Sequence, residues 1–326
     1  MDRDREQAGG RIGLPLFPWA PLALVTVPLA IAGLVVWYVT RGPILFGDID
    51  WYRAALPGLL SELPLYDPAK LLPHVAERPP YWNQAPSTAI FTLVMLLPGG
   101  DWAWGFLMVG GVLVGLALMW PRVGPGGTVL LAPVLLLWPP VTDALAWANV
   151  NGLVFGLLAV AWRFPRFAGW AIGLAAALKL VPILAVAWLV GKRDWRNVVV
   201  AIAIPVAATL SVAAWEGFAT VTDFVMLRLN ELPPSEGLGS WSFARVLGLP
   251  PWAGFAGALL LTAAAWRVAS FSLSVVAMLV SVTALHAHYW TWILVPLFGA
   301  WLPWLISALN SGSRRASDRR DTMAEA

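Results

Sequence analysis

The chain has no cysteine and only three histidines, which excludes a disulfide framework, a thiol nucleophile and any cysteine-based metal site. Charge is scarce too. Asp, Glu, Lys and Arg together make up 12% of residues, against roughly 25% in a soluble domain, so most side chains must meet lipid or one another. The net charge of +3 is too small to suggest a nucleic-acid partner. No internal repeat at a fixed period is visible.

What the chain does contain is apolar. Hydrophobic residues reach 59%, tryptophan numbers 21 and mean hydropathy is +0.73. A helical crossing takes about 20 apolar residues. Hydrophobic runs lie at about 18–40, 86–98, 102–121, 128–141, 145–163, 168–190, 196–215, 251–267, 270–287 and 289–307, broken by Pro, Gly and short polar clusters. The expected fold is all-α: a polytopic integral membrane protein of about 9–11 transmembrane or re-entrant helices. Residues 1–17 form an N-terminal segment, 18–309 a single membrane domain and 310–326 a polar, disordered tail. The first apolar run is too long for a signal-peptide core and is not followed by a small-residue cleavage site, so it reads as a retained helix. Tryptophan in such a chain anchors helix ends at the interface; its faces also suit sugar rings, and composition does not separate the two uses.

Lys and Arg bias sets the expected orientation. Arg314, Arg315, Arg319 and Arg320 place the C-terminus in the cytoplasm, and Arg3, Arg5 and Arg11 do the same for the N-terminus. Arg163 with Arg166, and Lys192 with Arg193 and Arg196, mark two further cytoplasmic turns. The long polar connections 41–85 and 216–250 then share the extracytoplasmic face. Two irregularities follow. Residues 167–191 form one apolar run between two cytoplasmic clusters, so either one cluster is misread or the run is two half-helices turning near Lys179–Pro182; broken helices of that kind line cavities. The three runs between 86 and 141 give the wrong parity if Asn149 and Asn151 face outside, which suggests that 86–98 is re-entrant.

Four segments carry candidate chemistry. Asp48, Asp50 and Asp67 lie just beyond the first apolar run with Trp51, Tyr52 and Arg53. They are either solvated loop carboxylates or an acid–base group at headgroup depth, where a lipid-borne substrate would arrive. Asp143, Asn149 and Asn151 interrupt two apolar runs; asparagine amides there bridge helices or contact substrate. Lys179 has about twelve apolar residues on either side, too deep for easy snorkelling, and an intramembrane lysine defaults to a functional role. His286 and His288, two apart, do not share a helix face and make a poor zinc pair; they serve structure, hydrogen bonding or phosphate contact.

In their order and spacing these segments resemble glycosyltransferase family 87 of the GT-C membrane glycosyltransferases. Asp48, Tyr52 and Ala54-Ala55 match a D-x-x-x-Y element followed by small residues, and Leu65-Tyr66-Asp67-Pro68 an L-Y-D-P-like one. Pro139-Pro140-Val141 and Ala148-Asn149-Val150-Asn151 match P-P-V and G-[QN]-x-N, with Ala replacing Gly. Gly173 to Lys179 and Pro182 fit G-x-A-x-x-x-K-x-x-P, followed by a basic turn at Arg193–Arg196. Ala85-Pro86 keeps one of two usual prolines, and His286–Tyr289 keeps one histidine fewer than an S-x-H-H-Y element. The resemblance runs from about residue 20 to 305.

The resemblance implies a membrane hexosyltransferase, mannosyl by preference, with a polyprenyl-phosphate sugar donor, a lipid or glycan acceptor and an extracytoplasmic active site in the cell membrane. Asp48 would be the general base, acting with inversion. Lys179 would contact the donor phosphate, with Arg53, His288 and Arg245 behind it and Asn149, Asn151, Asp50 and Tyr52 in the substrate site. No cofactor and no metal are implied; a metal on Asp48-x-Asp50 is the alternative, as is a structural ion pair between Lys179 and Asp143. A transporter or lipid flippase, or a non-catalytic homologue in envelope biosynthesis, remains a competing reading.

Overall fold

The computed structural model describes residues 49, 85–230, 247–282 and 287–301. All regular structure among these is helical. The elements are α1 (Ala85–Met95), α2 (Gly100–Leu137), α3 (Pro139–Trp147), α4 (Val150–Arg163), α5 (Ala168–Leu178), a 3₁₀ turn (Val181–Ala185) leading into α6 (Val186–Gly191), α7 (Trp195–Glu216), α8 (Phe218–Asn230), α9 (Pro251–Val268), α10 (Phe271–Ser281) and a 3₁₀ helix (Ala287–Ile293). The first apolar run, residues 41–84 apart from Ile49, and residues 231–246, 283–286 and 302–326 lie outside the described residues.

Among the described residues two helices are long and apolar enough to cross a bilayer, 100–119 and α7, or three if α3 and α4 count as one span. On α7, Trp195 and Trp215 are both exposed and about 30 Å apart at 1.5 Å per residue. That is the thickness of the hydrocarbon layer, and it puts an indole at each interface. Between them Val199, Ile202, Val206 and Leu210 stay exposed at helical spacing, a stripe for lipid rather than water. Trp104, Trp188 and Trp292 are buried instead, so the tryptophans divide between anchors and core.

Helix pairs approach through small residues, as packing in lipid favours. A Cβ added at Gly152 of α4 would lie 2.7 Å from the Met108 carbonyl oxygen of α2, and one at Gly111 would lie 2.6 Å from that of Gly152. Only glycine allows this contact, and it fixes the N-terminal turn of α4 against α2.

Segment 168–191 is a hairpin. Gly169 packs on Asn197 and Gly173 on Ala201 and Ile204, so α5 and α7 run parallel and begin at the same end. The chain therefore rises along α5, breaks at Lys179, which is extended at φ −150° and ψ 122°, and returns through α6 to start α7. At 11 residues and 1.5 Å each, the rise is about 16 Å, half a hydrocarbon layer. Of the two readings of the apolar run 167–191, the structure selects the two half-helices. One side chain closes the base: Asn197 accepts from the Gly169 N–H at 2.9 Å and donates to the Pro165 carbonyl at 3.1 Å and to Asp194 Oδ2 at 2.6 Å. The basic turns at Arg163–Arg166 and Lys192–Arg196 thus meet at one end of the bundle. The far end of α7 and the start of α9 lie opposite, because Gly191 touches Trp266 and Ala269 near the C-terminus of α9.

Three expectations are corrected. Residues 218–230 are helix α8, so the polar connection read as 216–250 starts with 13 helical residues. The runs 102–121 and 128–141 share the helical backbone of α2 as far as Leu137. The run 145–163 is not one element: α3 and α4 are bent by 118° at Ala148, which sits in the left-handed region at φ 47° and ψ 41°.

Candidate functional site

The bend between α3 and α4 and the break after α5 meet. Asn149 caps α4, its Oδ1 accepting from the Asn151 N–H at 2.9 Å, the usual way an asparagine satisfies an orphan amide at a helix start. This turns Asn151 inward, where it is fully buried. At the tip of the hairpin, Lys179 Nζ donates to Asn151 Oδ1 at 3.1 Å and lies 3.9 Å from the centroid of the Tyr289 ring. The lysine does not snorkel; its ammonium points at an amide and an aromatic face.

The third wall is the 3₁₀ helix Ala287–Ile293. Tyr289 and Trp292 meet edge to face, with centroids 5.2 Å apart, and the Trp292 indole N–H donates to the Asn151 carbonyl at 3.4 Å. Both rings are buried, at 8% and 0% exposure, so neither can stack on a sugar. Asn151 Nδ2 is buried without a hydrogen-bond partner among the described residues. An unmet buried donor costs about 1–3 kcal/mol, and here it adjoins an ammonium. Together they form a donor-rich, cationic spot suited to an anionic oxygen.

Lys179, Asn149 and Asn151 are thus brought together by tertiary structure. Asp143 is half-buried on α3. The side chain of His288, and Asp48, Asp50, Tyr52, Arg53 and Arg245 entirely, lie outside the described residues. Ile49, between the first two acids, is helical and 4% exposed within the same apolar core as Tyr289 and Trp292. Sequence reasoning did not select Tyr289 and Trp292 as site residues, because two aromatics among so many carry no local signal. The hints were the polar pair His286 and His288 beside them and the place of Tyr289 at the end of the S-x-H-H-Y-like element.

A family model, Glycosyltransferase family 87, matches residues 81–308. The chain belongs to this family. The matched segment contains Asn149, Asn151, Lys179, Tyr289 and Trp292. In a search of curated proteins the chain is 28% identical over 247 residues to a polyprenol-phosphate-mannose-dependent alpha-(1-2)-phosphatidylinositol mannoside mannosyltransferase of Mycobacterium tuberculosis. The match covers 64% of this chain and 54% of that protein, so the chain spans about half the length of its curated relative. No solved structure matches it.

Proposed function

We propose that this family 87 protein transfers a hexosyl group, mannosyl by preference, from a polyprenyl-phosphate donor to a lipid or glycan acceptor at the extracytoplasmic face of the cell membrane. The observation that carries the reading is the meeting of Lys179 with Asn151, an ammonium beside an unmet buried donor, at the tip of a hairpin inside an apolar bundle. Such a spot suits a phosphate whose lipid tail stays in the bilayer.

Asp48 takes the proton from the acceptor hydroxyl as its oxygen attacks the anomeric carbon. The bond between that carbon and the phosphate oxygen breaks, and the leaving polyprenyl phosphate keeps the electron pair. Lys179 and Asn151 stabilise the charge gathering there. One displacement inverts the centre. Arg53, Arg245 and His288 are further phosphate contacts, and Asn149, Asp50 and Tyr52 line the substrate site. The two basic turns face the cytoplasm, as the positive-inside rule asks, so the opposite end of the bundle with 216–250 is extracytoplasmic.

The test is transfer from polyprenyl-phosphate mannose to membrane acceptors. Asp48→Asn should fold normally and lose about 100-fold or more in rate, the typical share of a general base. Undiminished transfer by folded mutant removes Asp48 as the base. Two helices broken around a buried cation also occur in transporters. Translocation of polyprenyl-phosphate sugar without any transfer would decide for that reading.

A further inference from the structure

We infer that the basic end of the bundle is a second binding site, for the headgroup of an anionic phospholipid in the leaflet it faces, separate from the donor site at the hairpin tip. Arg163, Arg166, Lys192, Arg193, Arg196 and Arg267 are all exposed. Tertiary contacts gather them. The Asn197 hydrogen bond to the Pro165 carbonyl joins the residues next to Arg196 and Arg166. Gly191, packed on Trp266 and Ala269, sets the turn that starts at Lys192 against the end of α9 that carries Arg267. Segments 157–170, 186–200 and 262–270 hold one acid, Asp194. Its two oxygens accept from the Asn197 backbone N–H at 3.3 Å and from the Asn197 side-chain amide at 2.6 Å. Among the described residues no carboxylate pairs with Arg163, Arg166, Arg193, Arg196 or Arg267.

Two of the guanidinium groups are restrained without being neutralised: Arg163 and Arg166 lie over the Phe164 and Phe167 rings, 5.7 and 4.8 Å from their centroids. Arg193 sits in the left-handed region at φ 59°, where glycine would be unstrained, so the turn carries a cation where backbone geometry alone favours glycine. Orientation in the membrane needs only the number of these charges; their placement asks for more. Arg166 lies about one turn from Trp170, with Leu174 beyond it on α5, and Arg196 one turn from Val199, with Ile202 and Val206 beyond on α7. All five of these apolar residues are exposed. A phosphodiester held on arginine forks with its acyl chains along the apolar stripes fills both parts of the surface, whereas a soluble anion fills one. The lipid pins both feet of hairpin 168–191, at Arg166 before α5 and at Arg193 and Arg196 after α6.

The experiment titrates the purified full chain in neutral detergent with phosphatidylglycerol, phosphatidylcholine or glycerol phosphate, reading bound ligand by native mass spectrometry and the unfolding midpoint alongside. Phosphatidylglycerol should bind the wild type at least about tenfold more tightly than phosphatidylcholine and raise its midpoint, as a ligand of the folded state does. Arg166→Gln/Arg196→Gln should weaken phosphatidylglycerol about fivefold for each arginine, the worth of one basic residue at an anionic surface. Both positions are exposed, so its midpoint in phosphatidylcholine should match the wild type. Arg166→Lys/Arg196→Lys, which keeps the charge and loses the fork, should fall between the two. Lys179→Gln should bind phosphatidylglycerol as the wild type does, which separates this site from the donor site and leaves its test independent of the proposed transfer reaction. Equal binding of the two phospholipids, or undiminished phosphatidylglycerol binding by Arg166→Gln/Arg196→Gln, overturns the inference. A loss in Lys179→Gln as large as in the arginine pair overturns it too, by moving the lipid to the hairpin tip. Glycerol phosphate binding as tightly as phosphatidylglycerol would replace the lipid with a soluble anion, and displacement of phosphatidylglycerol by an equal concentration of polyglutamate would replace it with an acidic protein segment.

Discussion

At Ala148 the backbone sits at φ 47°, a region that costs a residue with a Cβ about 1–2 kcal/mol and glycine almost nothing. The 118° bend between α3 and α4 depends on that conformation, which gives the Gly expected there from the family resemblance its physical reason. Ala148→Gly should relieve that strain but give up a fully buried methyl and add freedom to the unfolded chain, so stability should change by less than about 1 kcal/mol; thermal unfolding in detergent checks it, and a loss of more than about 2 kcal/mol, the cost of a core truncation without strain relief, would contradict the backbone assignment. Asn149 and Asn151 are chemically identical yet opposite in use. One spends its carbonyl oxygen on a cap, and the other is left with a buried, unmet amide beside Lys179. The sequence shows two asparagines two apart; which of them faces the lysine follows from where α4 begins.

Among the elements, the hairpin 168–191 does most to shape the site. Its apolar content alone reads as one crossing, and only the basic residues at both ends argue otherwise. The structure supplies the reason the hairpin holds: Asn197 is 6% exposed and serves the Gly169 amide, the Pro165 carbonyl and Asp194 together. Asn197→Ala would leave the buried Gly169 amide without its partner at the base, while the Pro165 carbonyl keeps the Ala168 N–H. The expected loss is about 2 kcal/mol, read as a lower unfolding midpoint, and it should be accompanied by weaker binding of polyprenyl phosphate as the Lys179 tip shifts. A change below about 0.5 kcal/mol, the range of ordinary surface substitutions, would show that the hairpin closes without this side chain. Asn197 was invisible as a structural residue in the sequence, because its partners lie 28 and 32 positions away.

At the scale of the whole molecule, the absence of cysteine makes the arrangement testable by single introduced thiols. Phe167 and Lys192 are exposed at the shared basic end, and Phe218 and Leu249 at the opposite end. In sealed right-side-out vesicles a membrane-impermeant maleimide should label Phe218→Cys and Leu249→Cys directly, and Phe167→Cys and Lys192→Cys only after permeabilisation. Labelling of Phe167→Cys and Lys192→Cys from different sides would contradict the hairpin whatever the overall orientation.

The sequence by itself determined the helical membrane class and the family, because long apolar runs have few solutions in lipid and the spaced motifs are local. It also singled out Lys179, since a charge far from either end of an apolar run stands out without any structure. Only the tertiary structure decided that Lys179 meets Asn151 and Tyr289, that the apolar run 167–191 turns back, and that Trp292 belongs to the core. These depend on close backbone approach at glycines and on hydrogen bonds between distant segments, and neither leaves a mark in local composition.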